Sequence, residues 1–162
     1  MRNHVFRRAT QTLLLSVAFF VSPTYADDII DANQLEAILK IAQGFGHAVL
    51  EKDDLGDPMI RGRIDGVKYG IFFYGCTEGA DCKDIQFSTG WSGANLSLEK
   101  INEWNQEQRY GKASMDDEGD PRLAFTVNIT YGVTAENFED TVDWWAVAMK
   151  NFREYIEENS LD

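Results

Sequence analysis

Histidine, cysteine and proline are scarce in this chain, at two, two and three in 162 residues. One histidine, His4, falls in a segment that reads as a cleaved leader, so His47 alone remains beyond it. A nucleophile needs a neighbouring base, most often His. Any Ser-His-Asp arrangement would therefore have to use His47, and no G-x-S-x-G elbow accompanies it, since Gly90-Trp91-Ser92-Gly93 has the wrong spacing. A zinc centre asks for about four nitrogen or sulfur ligands, which one His and two cysteines do not supply. A G-x-G-x-x-G phosphate loop is also missing; Gly75, Gly79, Gly90 and Gly93 do not form one. With 27 acids some pair of carboxylates is always close, so a glycosidase-type pair has no sequence signal of its own. Positive charge is short as well, at 15 Lys and Arg against 27 Asp and Glu. Phosphate backbones and anionic membranes are repelled by such a chain. Cationic partners and calcium are electrostatically permitted. The same acidity also serves solubility alone.

The longest apolar run is short too. Leu13 to Val21, interrupted by Ser16, is about half of the ~20 residues that a membrane-spanning helix needs. Arg2, Arg7 and Arg8 precede it, and Pro23 with Thr24-Tyr25-Ala26 follows. This is the pattern of a secretory signal peptide over residues 1–26, cleaved after Ala26, with one α+β domain expected over residues 27–162. The expected location is the periplasm or outside the cell, with no membrane span left after cleavage. Beyond Ala26 the chain holds 12 basic and 27 acidic side chains, a net −15. Cys76 and Cys82 then meet an oxidising space, where a disulfide is the expected state. Their C-x5-C spacing suits a loop staple better than a redox motif.

Periodicity predicts helices over about 33–43, 97–109 and 134–158. In the first, Leu35, Ile38, Leu39 and Ala42 share a face. In the second, Leu98, Ile101, Trp104 and Asn105 do. In the third, Phe138, Val142, Trp145, Met149, Phe152 and Ile156 form a stripe. Ser97 and Thr134 are candidate N-caps. Strands are predicted over 47–51, 59–64, 67–74, 84–89, 111–115 and 122–129. Asp65-Gly66 reads as a two-residue hairpin turn. The fold class is α+β, an antiparallel sheet with helices packed on it, in the order α-β-β-β-(β)-α-β-β-α. Asp53-Asp54-Leu55-Gly56-Asp57-Pro58 and Asp116-Asp117-Glu118-Gly119-Asp120-Pro121 repeat the pattern D-D-x-G-D-P. Duplication and convergent turn chemistry both produce such an echo.

Two classes of site follow. Trp91, Trp104 and Trp144 are candidate contacts for a protein partner, a second copy of the chain among them, because Trp is favoured at interfaces. Trp145 falls on the inner stripe. Asp116, Asp117, Glu118 and Asp120 are the alternative, an oxygen-rich loop for calcium in a small-ligand or calcium-binding envelope stress protein. The EF-hand spacing is absent from both acidic turns, and no cofactor is indicated.

Several ordered motifs resemble those of secreted members of the YbjN-like family. They are Phe73-Tyr74-Gly75-Cys76 with Cys82-Lys83-Asp84-Ile85-Gln86-Phe87, then Ile101-Asn102-Glu103-Trp104-Asn105, then Arg109-Tyr110-Gly111-Lys112-Ala113. Asp116 to Pro121 and Asn137-Phe138 with Trp144-Trp145 complete the set, which spans most of residues 30–157. The resemblance implies a fold like that of type III secretion chaperones, with helices on one face of an antiparallel sheet. The family is described as candidate regulators of bacterial sensory transduction, with neither an enzymatic activity nor a cofactor attached. The export signal and the cysteine pair set this chain apart from cytoplasmic members. The function expected is that of a non-enzymatic periplasmic module that binds protein. Mass spectrometry of the exported protein should find Asp27 as its first residue; an intact Met1 would contradict cleavage.

Overall fold

A computed structural model describes residues 29–160. The expected leader, residues 1–26, lies outside them. The elements run β1 (Ile29–Ile30), α1 (Leu35–Phe45), β2 (His47–Lys52), β3 (Pro58–Ile64), β4 (Val67–Tyr74), β5 (Asp84–Gly90), α2 (Leu98–Glu107), β6 (Lys112–Met115), β7 (Pro121–Asn128), β8 (Val133–Thr134) and α3 (Ala135–Asn159). Six strands form one antiparallel sheet in the order β2-β3-β4-β5-β7-β6. The α+β order expected from the sequence is the one found. Two short strands, β1 and β8, are additional; they pair with each other, Ile29 opposite Thr134, and at two residues each they are too short for an alternation to register.

Local chemistry sets the boundaries. The main chain turns sharply between β3 and β4 at Asp65 (φ 47°) and Gly66 (φ 83°), with Ile64 opposite Val67. Positive φ at both central residues is the requirement of the primed hairpin turn. Helix α1 starts at Leu35 rather than Asn33, because the Asp31 carboxylate accepts the Asn33 amide (2.8 Å) and holds a turn there. The other two caps are where the sequence puts them. Ser97 Oγ accepts the Lys100 amide (3.3 Å), and Thr134 Oγ1 accepts the Asn137 amide (3.2 Å). The inner face of α2 is narrower than its periodicity suggests. Ile101 and Trp104 are buried, but Leu98, the first helical residue, is mostly exposed because it precedes the turn that contacts the sheet.

The D-D-x-G-D-P segments are the same turn built twice. Asp53 Oδ1 accepts the amides of Leu55 and Asp57 (2.9 and 3.0 Å), and Asp116 Oδ1 accepts those of Glu118 and Asp120 (3.0 and 2.9 Å). In both, the first Asp amide reaches the carbonyl of the last Asp, and the Gly amide returns to the first Asp carbonyl. One joins β2 to β3 and the other β6 to β7.

All three helices cover one face of the sheet. The entire stripe expected on α3, from Phe138 to Ile156, is buried. Trp145 is its centre, with ring centroids 5.6 Å from Phe87 and 6.5 Å from Tyr69. Tyr69 in turn lies flat on Gly62 of the next strand, where a Cβ would collide with its ring. Burial leaves the Tyr69 hydroxyl without a hydrogen-bond partner among the described residues and pushes its pKa up to about 12 from 10.0. The phenol is therefore neutral in the fold at pH values where the unfolded chain ionises it. Stability from this group is intact below pH 10 and falls as the pH rises from 10 towards 12. Two pKa units correspond to roughly 2–3 kcal/mol. Denaturant melts at pH 9 and pH 11.5 should show that loss in the native protein and much less of it in Tyr69→Phe. Equal losses in the two proteins would contradict the burial.

Candidate functional site

His47 stands on the edge strand β2, opposite Arg63, and its exposed side chain makes no hydrogen bond among the described residues. Besides Tyr69, a tie between α2 and α3 carries shifted titrations. Lys100 Nζ donates to Glu103 Oε2 at 2.8 Å, which raises the lysine pKa and lowers that of the glutamate. Tyr155 is raised chiefly by burial; its hydroxyl donates to the Lys100 carbonyl (2.9 Å). This is a packing contact between helices, exposed on its charged side.

The acidic turn does not gather into a cation site. Asp116 accepts its own turn's amides, and Asp120 Oδ1 accepts the Gly93 amide (2.8 Å), so both carboxylates face protein donors. Among the described residues no group of three or more His, Cys, Asp or Glu side chains is placed to share a metal ion. The calcium alternative over Asp116, Asp117, Glu118 and Asp120 is thus not brought together. Cys76 and Cys82 are bonded to each other in the β4–β5 loop.

The three candidate tryptophans separate. Trp104 is a correction to the docking set. It is 2 % exposed and its indole donates to the Gly111 carbonyl (3.0 Å), so it has no surface to offer. Trp91 is half-buried, edge-on to Phe152 at 5.2 Å, and Phe152 also packs on Trp104 at 4.7 Å. Both therefore belong to the joint between the sheet and its helices. Trp144 differs, with 42 % of its surface exposed beside a fully buried Trp145. One residue along a helix is a rotation of about 100°, which carries it off the core stripe.

Trp144 stacks on Tyr110 (4.7 Å between centroids, 32° between planes), and Tyr110 leans on Phe125 (5.5 Å). Val147, one turn further along α3, is also exposed, and Gln108 and Asn151 close the ends. The result is an open groove of about 290 Å³ between α3 and the end of α2. Tyr110 is held there by a clasp built from the motif residues on either side. Trp104 bonds Gly111. The Asn105 side chain accepts the Ala113 amide (2.8 Å) and donates to the Ala113 carbonyl (2.9 Å), as a neighbouring strand would. Lys112 Nζ donates to the Asn105 and Gln108 carbonyls at the end of α2 (3.0 and 3.2 Å). Tyr110 and Val147 were not among the sequence candidates. The i, i+3 spacing of Val147 from Trp144 was the available signal, and nothing local marks Tyr110.

The fold and groove define a small sheet-and-helix module with an exposed aromatic groove. A family model for YbjN, described as "Putative bacterial sensory transduction regulator", matches residues 30–158, and the chain belongs to that family. No curated protein matches the chain.

The neighbouring tryptophans give a sharp contrast. Trp145→Ala should cost about 3–5 kcal/mol in denaturant melts, as for a fully buried ring, and Trp144→Ala less than about 1 kcal/mol. Similar losses at both sites would contradict the division between core and groove.

Proposed function

We propose that this chain is a non-enzymatic regulatory module that works by binding another protein outside the cytoplasm, with the groove of Tyr110, Trp144 and Val147 as its grip. The carrying observation is Trp144. It is a large, rigid aromatic side chain, exposed, stacked on a second aromatic ring, and mounted on the longest helix beside the centre of the core. An aromatic anchor on a rigid element is what a protein interface uses, because little side-chain entropy is lost on docking. A groove near 290 Å³ suits one or two apolar side chains of a partner rather than a whole cofactor. The family's description as a sensory-transduction regulator supports the regulatory part.

Two features support action outside the cytoplasm, the leader-like start of the sequence and the Cys76–Cys82 bond. A second copy of the chain is one partner of the right chemistry, since the groove sets aromatic rings beside one acid and one base, Glu107 and Arg109, which balance. The calcium alternative is the weaker reading, because two of its four carboxylates, Asp116 and Asp120, accept protein amides.

A photo-crosslinking residue placed at Trp144, with Tyr131 (97 % exposed) as the control position, tests this in intact cells. The expected outcome is a discrete adduct from position 144 that is absent from position 131. A band at twice the chain's mass would identify the partner as a second copy. The same adducts from both positions, or none from 144, would remove the groove as the grip.

A further inference from the structure

We propose that the helix-free face of the sheet is a docking surface for an extended acidic segment of a partner protein, held by Arg63, Lys68 and Arg122. The net charge of the chain alone favours cationic partners, and this face reverses that locally. Residues 29–160 contain twelve Lys and Arg, and four of them (Arg61, Arg63, Lys68 and Arg122) alternate with buried residues so that they project from the open face; Lys112 shares the alternation but its ammonium turns to α2. Only two acids on the described strands, Glu51 and Asp84, share that face.

Strand register sets three of the cations in a line. Arg63 on β3 is opposite Lys68 on β4. Continuing the Gly70–Ser88 register by two residues leads to Gly90 on β5, which is opposite Arg122 on β7. Gly90 raises no side chain between Lys68 and Arg122. These charges are also unspent. Arg61 is paired with Glu51 (3.1 Å), and Lys112 is occupied by the carbonyls of α2. Arg63, Lys68 and Arg122 have no carboxylate oxygen within 4.0 Å among the described residues. Arg63 donates to the Gly66 carbonyl, and Arg122 reaches the Ser88 hydroxyl at 3.4 Å.

The line fits a strand-like peptide. From β3 to β7 is three strand spacings, about 14 Å, and four residues of extended chain cover about 13 Å. Acids at i, i+2 and i+4 point the same way at steps of about 6.6 Å, while Arg63, Lys68 and Arg122 stand one and two strand spacings apart, about 5 and 10 Å, differences that Glu and Arg side chains span. Beside Arg122 a hollow of about 520 Å³ leaves room for a peptide backbone; small or polar side chains, Ser88, Ala124, Gln86 and Ser114, line it together with Asp116 and Asp117 of the acidic turn, of which Asp116 Oδ1 is held by its own turn's amides. Arginine suits carboxylates because its fork gives two parallel hydrogen bonds.

Charge also selects among occupants. A second copy laid face to face would set these cations against each other. Nucleic acid or an anionic membrane would meet the repulsion of the whole acidic molecule. A short acidic segment feels mainly the row within a Debye length of about 8 Å. The face is on the far side of the sheet from the groove of Trp144, so the two surfaces stand or fall separately.

Fluorescence anisotropy of the purified, oxidised protein with a labelled Glu-Gly-Glu-Gly-Glu peptide tests the proposal. The peptide should bind at about 20 mM salt and be released at about 200 mM. The triple variant Arg63→Gln, Lys68→Gln, Arg122→Gln should weaken binding about tenfold or more, and Lys68→Gln alone, an exposed single change, about threefold. The pair Lys40→Gln, Lys150→Gln, which removes charge from the helix side, and Trp144→Ala should both bind as the native protein does. The proposal is overturned by no binding at low salt, by equal weakening in the helix-side pair, or by Lys68→Gln without effect. It is equally overturned if a single-stranded oligonucleotide or an anionic phospholipid vesicle binds more tightly than the peptide through the same three residues.

Discussion

The burial of Trp145 against Phe87 and Tyr69 is the contact on which the molecule's shape depends. It seats the middle of a 25-residue helix on the centre of the sheet, with Phe138 and Phe152 extending the same seam towards its two ends. A fully buried ring of this size contributes several kcal/mol, a large part of the net stability of a chain this long. Its placement has a geometric consequence. Once α3 and its companions occupy one face, the other face has no helix to cover it, and the residue beside Trp145 is turned outward. Both surfaces proposed for binding are by-products of one packing choice.

The motifs that place the chain in its family mostly serve structure. Trp104 and Asn105 reach across to Gly111 and Ala113, and the Asn105 amide takes the position of a missing neighbour strand on β6. An open strand edge invites pairing with another chain, and an amide seated on it blocks that. At the other edge, Gln43 donates to the Ala48 carbonyl (3.1 Å), and Glu51 and Lys52 add charge. The edges are guarded while the face is left open, which directs association to side chains rather than to strand addition.

Most of the fold was legible in the sequence because its signals are local. The α3 stripe, the Ser97 and Thr134 caps, the Asp65-Gly66 turn and the doubled D-D-x-G-D-P turn each depend on residues close to one another. The strands β1 and β8 were hidden because they pair across about a hundred residues with only two residues each. Trp104 was legible as buried from its i, i+3 spacing to Ile101 on the inner face of α2, a local signal that outweighs the general preference of tryptophan for interfaces; what the sequence hides is its indole's partner, the Gly111 carbonyl, which follows the helix. The cationic line was present as alternation in Ile60-Arg61-Gly62-Arg63-Ile64. Its extension to Lys68 and Arg122 depends on the strand order, in which β7 inserts between β5 and β6. Tyr110 became part of a site only when the clasp set it beside Trp144.

One-sided cover is the central claim, since the groove and the cationic face both follow from it. Hydroxyl-radical footprinting of the oxidised, free protein reads it directly. The account predicts heavy labelling of Tyr74 on the open face and of Trp144 at the groove, with Tyr69, Trp104 and Trp145 protected. Labelling of Trp145 and Tyr69 at the level of Trp144, or protection of Tyr74 in the free protein, would contradict it.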